Sequence, residues 1–175
     1  MKLRHIPLLF LMGFILFPCL GVAEIKFSDR IEEYSLDNEM KVILIQDKRS
    51  PIVVSSLWYK VGSSFEYPGV TGISHILEHM MFKGTTTTEA GEFSRIIKQL
   101  GGSENAFTGR DFTGYYQKVH KDYLETCLKY ESDRMVNLML NQEDLRTERE
   151  VVKEERRLRT EDNPSSKAYE KIGMQ

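Results

Sequence analysis

The sequence predicts an α+β domain, a mixed sheet with helices packed on one face. Two observations lead to it. Strand-like and helix-like stretches alternate irregularly from residue 31 onward, without repeats or low-complexity tracts. Hydrophobic residues make up 41% and charged residues 29%, enough apolar material for a core and too little polarity for disorder.

The elements follow in order. Ile31 to Leu36 and Met40 to Gln46 read as two strands around an Asp37-Asn38 turn. Ile52 to Val61 is a third, largely apolar strand. Ile73 to Phe82 reads as a helix, and Glu89 to Leu100 as an amphipathic helix stopped by Gly101-Gly102. Glu104 to Thr108 and Phe112 to Val119 are two further strands. Asp122 to Leu140 is a helix with core positions expected at Leu124, Leu128, Met135 and Leu138. Asp144 to Asp162 is a long charged helix that stops at Asn163-Pro164, and another begins near Ser165. Thr85 to Thr88 reads as a polar loop, and Trp58, Tyr115 and Tyr116 as packing residues.

The chemistry concentrates in His75-Ile76-Leu77-Glu78-His79. Two histidines four residues apart lie one above the other on a helix, close enough to hold one metal ion. Glu78 lies beside them, within reach of a metal-activated water. This H-x-x-E-H order is the inverse of H-E-x-x-H. At about 3.6 residues per turn, Ile73, Ile76, Leu77, Met80 and Met81 gather on the side away from the histidines, so one side should face a core and the other a cleft.

A zinc site needs a third protein ligand. On the helix from Asp144 to Asp162, Arg146, Arg149, Glu150, Lys153, Arg156 and Arg157 form a solvated side, while Leu145, Val151, Val152 and Leu158 mark an apolar one. Glu148 and Glu155 fall in the middle of that apolar side, about two turns apart. Buried carboxylates are costly unless paired or bound to a cation. Arginine partners inside the fold are one account. A shared metal is the better one once the two-histidine helix is considered, with Glu155 as third ligand and Glu148 orienting a ligand histidine.

Beyond these residues the chain resembles the pitrilysin and insulin-degrading-enzyme family of zinc peptidases, which includes the β subunit of mitochondrial processing peptidase. The resemblance rests on Val61 to Ser64, Gly69 to His75, Met80 to Thr85, Asn105 to Thr108, Asp111 to Tyr116 and Glu148 to Glu155. In such enzymes the distal glutamate ligand follows the second histidine at the distance that separates Glu155 from His79, and a supporting glutamate lies where Glu148 stands. The resemblance implies one zinc ion per chain on His75, His79 and Glu155, with Glu78 and Glu148 as catalytic carboxylates. It also implies that Asn105 and Ala106 belong to an edge strand that binds the substrate backbone. The nitrogen and oxygen donors also admit manganese or cobalt.

The implied activity is zinc-dependent endopeptidase cleavage of peptides or unfolded proteins. The alternative is a catalytically incomplete domain that binds zinc and peptide and needs a separate C-terminal half for activity. The resemblance further implies that residues 24–175 are the first domain of a larger enzyme, cut near that domain's C-terminal end, with a related C-terminal half or partner subunit.

Residues 1–23 read as a signal peptide. Lys2 and Arg4 form a basic start, and Leu8 to Leu20 is almost wholly apolar. That run is short of the roughly 18 residues of a membrane span and fits a signal core of about 7 to 15. Gly21-Val22-Ala23 suits cleavage before Glu24, with the periplasm as the expected destination and no stable span afterwards. Cys127 then stands alone, and its apolar setting beside Leu124 and Leu128 suggests an inert buried thiol. The net charge of −2 leaves no basic footprint for nucleic acid.

Overall fold

The computed structural model describes residues 30–173; the signal-peptide reading of residues 1–23 lies outside the described residues. The chain divides into two compact units, Met1–Lys48 and Arg49–Gln175. In the first, strands β1 (Ile31–Ser35) and β2 (Lys41–Ile45) pair antiparallel, with Ile31 opposite Ile45 and Ser35 opposite Lys41. The turn is closed by Leu36 N–H donating to Met40 O at 3.0 Å and by Met40 N–H donating to Asn38 Oδ1 at 3.2 Å.

The second unit carries a three-stranded sheet in the order β3 (Ile52–Tyr59), β5 (Thr113–His120), β4 (Ser103–Thr108). A mixed sheet was expected; every described pairing is antiparallel. For β4 and β5 the cause is their short connection, where Gly109 N–H donates to Phe112 O at 2.8 Å; parallel neighbours need a crossover of a dozen residues or more.

Strand pleating separates two faces. Tyr115, Gln117 and Val119 of β5 are buried, and their partners Leu57, Ser55 and Val53 on β3 are half-buried. Helices cover this face. α2 (Glu92–Gln99) contributes Phe93 and Ile97, and α3 (Leu124–Asn137) contributes Cys127, to a core with Val119 that Val53 and Tyr130 flank. Cys127 is fully buried, and burial pushes its thiol pKa up, as an inert core cysteine requires. On the opposite face Val54 and Trp58 are exposed. Trp58, expected as a packing residue, stands edge-on to Phe107 and Phe112 on that open side, with ring centroids 5.3 and 5.1 Å away.

The inward side of α3 differs from the expected one. Leu128 and Met135 are exposed, whereas Cys127, Glu131 and Arg134 are buried. The charges are tolerated because they pair: Arg134 Nε donates to Glu131 Oε2 at 2.9 Å, and Gln117 Nε2 donates to Glu131 Oε1 at 2.5 Å, while Arg134 Nη1 and Gln117 Oε1 make no hydrogen bond. The guanidinium also lies 4.4 Å from the Tyr115 ring centroid. α3 ends at Asn137 instead of Leu140, because Leu138 bridges to Thr85 and Thr86 N–H donates to Asn137 O at 3.0 Å. Asp133 clamps the same loop, accepting from the hydroxyls of Thr85, Thr87 and Thr88 and from Asn137 Nδ2.

The charged helix is α4 (Gln142–Arg156), started by Asn141 Oδ1, which accepts from Asp144 N–H at 2.8 Å. It continues as a π-helical turn over Arg157–Glu161. Its apolar stripe is less buried than expected: Leu145, Val151 and Leu158 are exposed, and Glu148 is the buried residue. α5 (Pro164–Gly173) begins one residue before the expected Ser165, with Asn163 Oδ1 accepting from Ser165 N–H at 3.1 Å.

Candidate metal centre

The histidines stand on α1 (Ile73–Met80), which packs against α4. Gly72 precedes α1 in a left-handed conformation, φ 90°, and offers no side-chain cap. Glu66 takes that role from six residues upstream. Its carboxylate accepts from Gly72 N–H at 2.7 Å and from Ser74 N–H at 2.9 Å. Burial would raise the Glu66 pKa, but these backbone hydrogen bonds outweigh it and hold the carboxyl below its ordinary value. Glu66 therefore caps the helix and places negative charge at its positive end.

The segment bearing Glu66 is locked to the β4–β5 turn. Ser63 N–H donates to Gly109 O at 3.1 Å, and Ser64 N–H to Arg110 O at 2.8 Å. Ser64 Oγ also lies 2.6 Å from both Arg110 O and Asp111 Oδ1. The seam is so close that a Cβ on Gly62 would collide with the Gly109 and Arg110 carbonyls.

The apolar side of α1 is offset from its periodicity. Ser74, Met80 and Met81 are buried, while Ile73 and Leu77, both expected on the core side, are exposed. The histidine side faces the cleft as expected. His75 Nε2 and His79 Nε2 are 3.3 Å apart, and Glu155 lies across from them: Oε2 is 3.7 Å from His75 Nε2, and Oε1 is 4.0 Å from His79 Nε2. One donor atom from each of the three lies within 4.8 Å of the others. Two nitrogens about 2.0–2.1 Å from a tetrahedral zinc are about 3.3 Å apart, so the histidine pair already has that spacing. Glu155 Oε2 is buried with no hydrogen-bond partner, and its nearest cation is the exposed Arg159 guanidinium at 3.5 Å, so a metal ion would relieve the remaining cost. The donor set fits zinc.

Glu148 stands against the pair. Its Oε2 lies 2.9 Å from His79 Nδ1, which leaves Nε2 as the metal-facing nitrogen. Its Oε1 meets Lys83 Nζ at 2.6 Å. Burial alone would raise the Glu148 pKa; hydrogen bonds from Lys83 and His79 hold it below the usual value instead. Glu78 lines the same cleft and accepts a hydrogen bond from Thr108 Oγ1.

Asn105 and Ala106 also line this cleft, which has a volume of about 1190 Å³. They lie on β4, which pairs only with β5 among the described strands and so has a free edge. Asn105 Oδ1 accepts from Ala106 N–H at 2.9 Å. Three residues of the site escaped the sequence reading as individuals: Glu66, Lys83 and Thr108. Lys83 could have been found, since it lies one further turn along from His79 on the histidine side.

Fold and donors together define an α+β domain whose inverted two-histidine helix and distal glutamate are suited to one divalent metal. The chain belongs to the insulinase family, peptidase family M16, whose profile matches residues 41–173. It is 37% identical over 139 residues to the zinc protease PqqE of Helicobacter pylori, covering 79% of this chain and 31% of that protein. With the uncharacterized zinc protease YmxG of Bacillus subtilis it shares 35% identity over 125 residues, 71% of this chain and 31% of that one. The crystal structure of a protease from H. pylori superposes with a TM-score of 0.76 at 37% identity, over 79% of this chain and 34% of that one. The crystal structure of pitrilysin gives 0.66 at 30% identity, over 71% and 13%. The chain thus spans about a third of the length of the curated relatives it matches.

Proposed function

We propose that this chain carries the zinc centre of an endopeptidase acting on peptides or unfolded proteins. The observation that carries the reading is the 3.3 Å histidine pair facing the Glu155 carboxylate, one oxygen of which has no hydrogen bond, with Glu78 on the same cleft. His75, His79 and Glu155 would hold one zinc ion. When bound, zinc supplies Lewis acidity, polarising a peptide carbonyl and bringing a water's pKa toward ~7. Glu78, lining the same cleft, would act as general base, its carboxylate taking a proton from the attacking water and giving it to the leaving amine. Thr108 holds the Glu78 carboxylate in place by donating to it. Asn105 and Ala106 receive the substrate as an added strand, whose main-chain hydrogen bonds accept many sequences. The names of the zinc-protease relatives support the same reading.

Metal analysis of the purified chain with a peptide-cleavage assay tests it. About one zinc per chain, retained in Glu78→Gln while hydrolysis is lost, is the expected result. Full hydrolysis by Glu78→Gln would overturn the assignment.

The chain's one-third share of its relatives' length supports a second reading, a zinc- and peptide-binding domain that cleaves only with a related C-terminal half or partner subunit. Activity gained on adding such a half would separate the two. The basic start and apolar run of residues 1–23 support export to the periplasm, and a mature N-terminus at Glu24 is the expected finding.

A further inference from the structure

Charge in the cleft is unevenly committed. Four carboxylates line it; three are held by hydrogen bonds, and Glu155 lies 3.5 Å from Arg159. Glu66 caps α1, Glu148 joins Lys83 to His79, Glu155 completes the donor cluster and Glu78 accepts from Thr108. Three cations line it: Lys83, Arg110 and Arg159. Lys83 is held by Glu148. Arg110 makes no ion pair among the described residues, and its side chain is left free although its backbone is fixed by Ser64. Arg159 reaches only Glu155, at 3.5 Å, and its side chain remains 74% exposed. A divalent ion on the donor cluster would turn the formal balance of this lining from negative to positive.

Position matters as well as charge. Arg110 lies two residues beyond Thr108, in the turn that follows the free edge of β4. Two residues of extended chain span at most about 7 Å, so Arg110 stands within that distance of Thr108 along the backbone, near the end of any strand paired on β4. Arg159 comes from the π-helical turn just after Glu155, which puts a second guanidinium beside the third ligand.

We propose that Arg110 and Arg159 are specificity-determining residues that select peptides bearing carboxylate side chains close to the cleaved bond. The inference rests on the peptidase reading above and names its substrate class. Guanidinium groups bind carboxylates through paired, charge-assisted hydrogen bonds, so glutamate or aspartate in the substrate is favoured over its amide.

Binding by the zinc-loaded full chain tests this, in a Glu78→Gln background that prevents turnover. Two fluorescein-labelled decapeptides serve as probes, one with glutamates on both sides of its centre and one with glutamines there, and a third with lysines there serves the charge-reversal variant. The glutamate peptide should bind about tenfold tighter at low salt, with the advantage shrinking as salt screens the charges. Arg110→Gln and Arg159→Gln should each reduce that ratio. Arg110→Glu should shift preference toward a lysine peptide, a gain that a misfolded protein cannot show. Equal binding of the two peptides, or a glutamate preference unchanged in both variants, would overturn charge selection while leaving the peptidase reading intact. Failure to bind any of the peptides would overturn the peptide-binding reading itself, and this inference with it.

Discussion

Two polar clusters sit in the same unit and end differently. Around Arg134, the Glu131 carboxylate is met by a guanidinium and by the Gln117 amide, beneath the Tyr115 ring. Around Glu155, the nearest polar atoms are two imidazole nitrogens 3.7 and 4.0 Å away and an exposed guanidinium at 3.5 Å, and one oxygen stays without a hydrogen bond. In the first cluster the carboxylate is met by buried partners of the protein's own, although Arg134 Nη1 and Gln117 Oε1 make no hydrogen bond. In the second, three donors converge within 4.8 Å of one another and the carboxylate's cation is an exposed one. A carboxylate with its cation built in is architecture; one without is a place for something to bind.

That contrast can be broken by experiment. The most direct effect expected is on zinc. At about 100 times its dissociation constant, zinc should raise stability by about 2.7 kcal/mol. His79→Ala or a chelator should remove the whole increment in thermal melts, and an undiminished increment in His79→Ala would break the comparison at its open end. Arg134→Met probes the closed end. It strands Glu131 in the interior and should cost about 3–5 kcal/mol in denaturant unfolding, whether zinc is present or not. A loss that zinc reverses would show that the clusters are not separate.

Lys83→Met should be milder. It removes one of the two cationic or N–H partners of Glu148 and with it a constraint on His79, so zinc should bind about tenfold more weakly by chelator competition, with Lys83→Arg restoring most of the affinity. The smallest effect belongs to Asp133. Hydrogen bonds from Thr85 first, then from Asn137, Thr87 and Thr88, lower its pKa to about 2. Because the folded value lies below the unfolded one, the associated stability is present above about pH 4 and disappears as pH falls toward 2. Melting temperatures across that window should drop less in Asp133→Asn than in the native chain.

The open cluster was far more legible in the sequence than the closed one. His75 and His79 announce themselves by helical spacing, and Glu148 and Glu155 by standing on an apolar side where carboxylates do not belong. Glu131 and Arg134 gave no such signal. A charge buried together with its partner reads as a surface charge, so the inward side of α3 was assigned to Leu128 and Met135, which are exposed. The same limit applies to Thr108, whose partner Glu78 lies 30 residues away in sequence. Helix and strand placement was recovered within a few residues because hydropathy period and turn residues act locally. The antiparallel sheet was missed because strand direction depends on which strands become neighbours.

The seam between residues 62–66 and the β4–β5 turn gives the site a remote adjustment. Gly62 leaves no room for even a methyl group, so a substitution there must push the two loops apart. Glu66 is four residues further along the same segment, and its carboxylate is what closes the first turn of α1. Wedging the seam would therefore let that turn fray, and His75 would lose its fixed bearing although nothing near it had changed. A metal's hold on this candidate site would thus depend on two loops that carry none of its donors.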